Sequence, residues 1–302
     1  MKLTHKLTYD LLFKMYFVKY PHLLKSFVTS LLGIDIKKIT KFDITNPEIP
    51  PDSINGKFCV LDLSMKINNL RCTLEIQVQN KGNYRERSLF IWAKEFSRWI
   101  VKGEDYKSLP RTILISVLGY NQFKKSKKYH SKFAAMEVNL HTKLSDKLDI
   151  HFFELKKLPK SININSNKEL WLLLFNAKTE KDLNYIESLE VPLMTEAVQA
   201  YREVSASDEF NNLEWMRQKA SLDEAQAIRY HSERAARRAA RQAKKQSDDK
   251  WKVITNVITA EKDASIAEKD ASIAKKDADL ADASAEIIFL RQQLAQLTKS
   301  DV

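Results

Sequence analysis

Glycine is scarce in this chain, five in 302 residues, beside seven prolines and two cysteines. So few glycines leave little room for loops that cradle nucleotide phosphates, and no G-x-x-x-x-G-K-[ST] segment occurs. The two cysteines, Cys59 and Cys72, exclude paired C-x-x-C zinc sites and a disulfide framework, and read as small core residues of a reducing compartment. Neither H-E-x-x-H nor G-x-S-x-G is present, and the six histidines are scattered without ligand spacing. His151, on an apolar stretch, reads as a residue of a sheet surface. No run of about 18 apolar residues appears, and the opening MKLTHKLTYD has no apolar signal core. The expectation is a cytoplasmic chain without a membrane partner. No proline or glycine follows Pro192, as long helices require.

What is present is charge and pattern. Hydrophobic residues make up 44% of the chain, enough for a buried core, and the net charge of +11 favours a polyanionic partner such as nucleic acid. Phe58–Ile67 and Leu70–Gln79 each alternate with period two and are joined by Asn68-Asn69, which suits a type I′ hairpin. Folded there, Ile67–Leu70, Met65–Cys72, Leu63–Leu74, Leu61–Ile76 and Cys59–Val78 form an apolar layer. Lys66–Arg71, Ser64–Thr73, Asp62–Glu75, Val60–Gln77 and Phe58–Gln79 form the other face. A slip of one residue would drive charges into the apolar layer, so the register is well specified. It sets two carboxylates opposite each other with Cβ atoms roughly 4.5–5.5 Å apart. Such a pair reads either as acids that share a divalent cation or as a solvated face with Lys66 and Arg71 as counter-ions.

Glu75-Ile76-Gln77 places Glu and Gln two apart on the acid-bearing face. This resembles the PD-(D/E)XK nucleases, in which an Asp ends one strand and E-x-K follows on the next, with Gln77 here in the Lys position. Asp10-Leu-Leu-Phe13-Lys14, Leu61-Asp62, Glu75-x-Gln77, and Arg87 followed by Phe90-Ile91-Trp92 are together similar to the Rpn family, recombination-promoting nucleases also described as putative transposases. Leu148–Leu155 and Lys168–Phe175 match what that family carries downstream. The resemblance implies Asp62 and Glu75 as Mg²⁺ or Mn²⁺ ligands, joined by the Ile76 carbonyl, with Gln77 as third active-site residue and Asp10 as an accessory acid. It implies a metal-dependent DNA endonuclease linked to recombination. The alternatives are a catalytically silent DNA-binding or assembly protein on a degenerate nuclease fold, or a transposase. A neutral amide at position 77 can orient water or a phosphate oxygen but cannot accept a proton.

The order of elements expected is helix 8–20, helix 22–32 closed by Gly33, a strand near 38–45, the hairpin, a helix over 84–101 with Leu89, Trp92, Ala93, Phe96, Trp99 and Ile100 inward, and a buried strand Ile113–Leu118. Strands near Met136–Leu140 and Ile150–Leu155 extend the sheet, and helices follow. The fold class is α/β, a PD-(D/E)XK-like restriction-endonuclease fold with a mixed central sheet flanked by helices and a long, partly coiled-coil helical extension. The expected division is a nuclease core over 1–160, a helical extension over 161–250 and a heptad-repeat tail over 251–302. Candidate phosphate contacts are Lys14, Lys57, Arg87, the loop residues Lys124, Lys125, Lys127 and Lys128, and Arg237, Arg238 and Arg241. Residues 260–280 repeat a heptad, AEKDASI, AEKDASI, AKKDADL, whose alanines step by four and three. This predicts homo-oligomerisation through the tail.

Overall fold

The structure is a computed structural model that describes residues 1–46, 63–80, 82–99, 103 and 105–297. Residues 1–224 form one compact unit and 225–302 a second. In the first, helices α1 (Asp10–Lys19) and α2 (Pro21–Leu32) lead to strand β1 (Phe42–Ile44), the hairpin strands β2 (Leu63–Ile67) and β3 (Leu70–Gln77), and helix α3 (Tyr84–Ser97). Strands β4 (Arg111–Leu118), β5 (His130–Phe133) and β6 (Leu148–Glu154) follow, then helices α4 (Asn167–Asn176), α5 (Glu180–Ser188), α6 (Pro192–Ala206) and α7 (Asp208–Leu297). The sheet order is β1-β2-β3-β4-β6-β5, with β3, β4 and β6 parallel and the other neighbours antiparallel.

The hairpin folds in the register that its alternation demands: Leu63 faces Leu74, Ser64 Thr73, Met65 Cys72, Lys66 Arg71 and Ile67 Leu70. The turn itself differs from the expected type I′. Asn68 alone has positive φ, 48°, where I′ needs it at both central residues, so the pattern is that of a II′ turn. An asparagine suits that position, because its side chain also binds the approach to β1. Its Oδ1 accepts from the Thr40 and Lys41 amides at 3.0 Å, and its Nδ2 donates to the Lys38 carbonyl. That three-residue β1 is shorter than the strand expected over 38–45, since Ile36–Lys38 turn as a short 3₁₀ segment.

The sheet is covered on both faces. Cys72 and Leu74 of β3, Ile113, Ile115 and Val117 of β4 and Phe153 of β6 face a large core shared with α1, α2, α4, α5 and α6. Within it Phe17, Phe27 and Phe175 stack, and Trp171 is fully buried. Leu114 and Leu118 point the other way, into a smaller cluster with Tyr84 of α3, Ile150 and Phe152. A strand that packs on both sides explains the uninterrupted apolar run of β4. Burial pushes the Cys72 thiol up, as expected for an inert core residue. The helices α4, α5 and α6 belong to this packing, and the compact unit that holds it runs to Glu224. Gly33 closes α2 in the left-handed region, φ 68°.

Three expectations are corrected. Met136–Leu140 is not a strand: Met136 makes one isolated bridge to Lys143, and Val138 and Leu140 are exposed. The strand is His130–Phe133, at the sheet edge, paired with β6. Helix α3 buries Tyr84, Ser88 and Glu95 and packs Ile91 and Trp92 on the smaller cluster, while Leu89, Phe90 and Ala93 face solvent, so its inward face is mixed and shifted from the one expected. His151 is not at a surface; it is buried at 5% exposure, its Nδ1 is 3.0 Å from His130 Nε2, and its Nε2 is buried without a partner. Both rings stack on Phe153.

Replacing Asn68 by Ala removes four hydrogen-bond contacts, to the Thr40 amide and hydroxyl, the Lys41 amide and the Lys38 carbonyl, and leaves in the left-handed region a residue without asparagine's tolerance of it. The expected cost is about 1–3 kcal/mol, read by denaturant unfolding, with Asn68→Gly recovering the backbone share alone. The histidine pair predicts acid lability. Burial, with Lys132 nearby and Lys168 beside His130, lowers both rings to about 4, while Asp149 opposes this at His151. Unfolded histidines take up protons near pH 6.5, so stability from this pair is complete above that value and is lost as pH falls toward about 4. Thermal melts across that window should show the loss, and His151→Gln should flatten it. A pH-independent melting temperature would contradict the buried, neutral pair.

Candidate active site

The acid-bearing face of the hairpin is covered at its middle, and Lys66, Arg71 and Gln77 beside the covered part are half-exposed. Thr73 and Glu75 are buried beneath α3, which lies against the sheet with Tyr84 at its first turn and Trp92 Nε1 donating to the Thr112 carbonyl at 2.9 Å. Lys66 and Arg71 do not serve Glu75. Arg71 sits over the Trp99 ring at 4.1 Å, and burial lowers its pKa. The counter-ion reading therefore fails at the residues it named.

Glu75 pairs across the parallel ladder with Ser116. The Tyr84 hydroxyl donates to Glu75 Oε2 at 2.8 Å and lies 3.1 Å from Ser116 Oγ, while Arg87 Nη2 is 4.0 Å from Glu75 Oε1. Burial, then the Glu75 charge, pushes the Tyr84 pKa well above its ordinary value, so it remains a neutral donor. Gln77 lies two residues on along β3, and its amide Nε2 donates to the Gln79 carbonyl at 2.7 Å. The strand end is tightly built there: Gly119 N donates to the Gln77 carbonyl at 3.0 Å, and a β-carbon on Gly119 would come within 3.2 Å of the Val78 backbone.

The basic loop 124–128 leaves the sheet at this same end. Leu118, where β4 stops, pairs with Gln77 and with Glu154, and the Glu154 amide donates to the Tyr129 carbonyl. Glu154, 1% exposed, accepts from the Gln122 and Phe123 amides and pairs with Lys157 at 2.6 Å. Arg85 of α3 donates to the Gln122 carbonyl and covers the Phe123 ring. Lys124, Lys125, Lys127 and Lys128 are exposed on a loop with a fixed root.

Other expected residues are placed differently. Asp10 begins α1 and holds Arg217 of α7 through both carboxylate oxygens, at 2.9 and 3.2 Å. Beside it the Tyr9 hydroxyl donates to Glu214. Lys14, expected to supply positive charge if it reaches the site, is buried at 1% exposure on α1. Asp62 and Lys57 lie outside the described residues. Arg237, Arg238 and Arg241 are exposed on α7 in the second unit. Among the described residues no three His, Cys, Asp or Glu side chains cluster as a metal site. The donor set of Glu75, Asp62 and the Ile76 carbonyl is all oxygen, the kind that Mg²⁺ or Mn²⁺ takes.

Tyr84, Arg85 and Ser116 were missed in the sequence. Ser116 had a legible signal, as the one polar residue inside ILISVL. Tyr84 had none beyond its place at the start of a helix.

Among the described residues no helix is long and apolar enough to cross a membrane. No curated protein and no solved structure matches this chain. A family model described as "PD-(D/E)XK nuclease family transposase" matches residues 7–231, three-quarters of the chain and nearly the whole first unit, including Glu75, Tyr84, Arg87 and Ser116. The chain belongs to the PD-(D/E)XK nuclease family of transposases.

Proposed function

We propose that the chain is a divalent-metal-dependent DNA endonuclease with little sequence preference, acting in DNA recombination. The observation that carries this reading is the Glu75 carboxylate, buried on the acid face of the hairpin and oriented by a tyrosine and an adjacent serine. Glu75 and Asp62, with the Ile76 carbonyl, would hold Mg²⁺ or Mn²⁺. Such an ion, when bound, supplies Lewis-acid polarisation of the phosphate and an activated water.

The protein's own residues do the rest. Tyr84 fixes the Glu75 carboxylate against rotation, the role that partners of metal ligands commonly have. Arg87, half-exposed at the rim, is positioned to take a phosphate oxygen as a planar donor. The lysines of loop 124–128 hold the backbone as point charges, which gives affinity without reading bases. Gln77 orients water or a phosphate oxygen once its amide leaves the Gln79 carbonyl, and the base is supplied from elsewhere.

A catalytically silent DNA-binding protein is the second reading, favoured by that same Gln77–Gln79 hydrogen bond and by the bidentate capture of Asp10 by Arg217. The two readings separate in one assay. Full-length protein should nick supercoiled plasmid with Mg²⁺ or Mn²⁺ and not with EDTA, and Glu75→Ala should abolish nicking while leaving the circular dichroism spectrum unchanged. Binding without nicking under every metal condition would establish the silent reading. Tyr84→Phe should lower metal affinity or rate by about 10–100-fold, as loss of a partner to a ligand does. Gln77→Ala should slow cleavage more than it weakens DNA binding, and Gln77→Lys should be tolerated. A Gln77→Ala enzyme at the wild-type rate would remove that residue from the mechanism.

A further inference from the structure

In the second unit, residues 225–293 are helical and exposed along their whole length. Trp251, Val253, Ile254, Val257 and Ile258 form an apolar patch in the middle, each 47–66% exposed. From it the four-three stepping runs in both directions: Val253, Lys250, Gln246, Ala243, Ala239 and Ala236 on one side, Val257 and Ala260 to Ala285 on the other. Small residues alone would fit any helix. Charge selects the partner and its direction.

Residues 225–254 carry nine Lys or Arg and three Asp or Glu, a net charge of +6. Residues 256–285 carry four Lys and seven Asp or Glu, a net charge of −3. A parallel partner in register would lay like charge on like charge, and would stack Lys250 on Lys250 and Arg229 on Arg229 within the seam itself. A reversed partner lays the basic half on the acidic half.

We propose that this helix pairs with the same helix of a second copy of the chain, antiparallel and centred on Thr255, so that residue i lies opposite residue 510 − i. In that register the seam maps onto itself: Val253 meets Val257, Ala243 meets Ala267, Ala239 meets Ala271 and Ala236 meets Ala274. Lys250 meets Ala260 beside Glu261, and Arg229 meets Ala281 beside Asp282, so each long cation faces a small residue next to a carboxylate. On one flank Lys244 approaches Glu268 of the second copy, and on the other Lys245 approaches Asp263 and Arg238 approaches Asp270. At the centre of the first flank, Ile254 meets its own copy and Trp251 meets Ile258 of the second copy. Alanines let the backbones approach closely but bury little area, so the charge distribution supplies much of the selectivity. The pairing stands apart from the nuclease reading.

The test is cross-linking of the full-length chain. Ala243→Cys and Ala267→Cys, made in chains of different tag length, should form the mixed disulfide dimer on mild oxidation and little of either self-linked dimer. Self-linking of each variant without the mixed species would show a parallel pair and overturn the proposal. Absence of all cross-links, with monomer mass by light scattering, would also overturn it. Arg238→Glu and Asp270→Arg should each weaken the dimer by about tenfold at low salt, since two flanking pairs become repulsive, and the double variant should recover. A double variant no tighter than the singles would refute the antiparallel register.

Discussion

The site depends on the pairing of β2 with β3. Period-two alternation leaves two possible assignments of residues to faces, and the turn at Asn68 selects one of them. Had the hairpin slipped by one residue, Glu75 would lie among Phe17, Phe27 and Trp171, where no hydroxyl or guanidinium would receive it. Because it does not slip, Thr73, Glu75 and Gln77 rise on the side covered by α3. The parallel β3–β4 ladder then carries the placement outward, bringing Ser116 beside Glu75 and the root of the basic loop beside Gln77. Asn68 thus reaches the site only through register, yet each contact there inherits its choice.

The second constraint is on α3. A helix over an acidic strand face cannot present only apolar side chains without leaving the carboxylate unsatisfied, a cost of about 1–3 kcal/mol or more for a charged group. Here the inward residues are Tyr84, Ser88, Trp92 and Glu95, and each can donate or accept. Glu95 takes the Trp99 indole and Arg98, while Arg71 rests on Trp99. A polar seam therefore runs the length of the covered face, from Arg71 at the far end to Glu75 at the near one. The consequence is that Leu89 and Phe90 remain outside, at 55% and 66% exposure.

That shift marks the limit of what the sequence made legible. Where burial and alternation agree, as in the hairpin register and the buried β4, pattern alone placed the residues. At α3 the same reasoning placed Trp92 correctly but also turned Leu89 and Ala93 inward, because it assumed that the more apolar side is the buried one. The edge strand β5 carried no alternation of its own; His130-Ser131-Lys132-Phe133 is a strand because β6 offers a free edge to pair with. Met136–Leu140 alternates but has no such edge, and its backbone closes on itself through Glu137, whose amide donates to the Thr142 carbonyl and whose carboxylate takes the Asn139 amide. The site was half legible: Glu75 and Arg87 stood out as residue types, while Tyr84 and Ser116 become partners only once β3, α3 and β4 are laid side by side.

The positive charge of the chain is also not one reservoir. The lysines of loop 124–128 stand at the Gln77 end of the sheet, on a root fixed by Glu154 and Lys157. The arginines and lysines of 229–245 lie in a different unit, on a helix whose other half is acidic. In an antiparallel pair their counter-charges come from the second copy, and a side chain already facing Asp263, Glu268 or Asp270 releases no counterion when DNA arrives. The salt dependence of DNA binding then reports the loop and Arg87, while the salt dependence of assembly reports the tail. Two basic segments that look alike in composition differ in their surroundings: a buried carboxylate fixes the root of the loop, while the helical segment is exposed and, in the proposed pair, would face the acidic half of an identical helix.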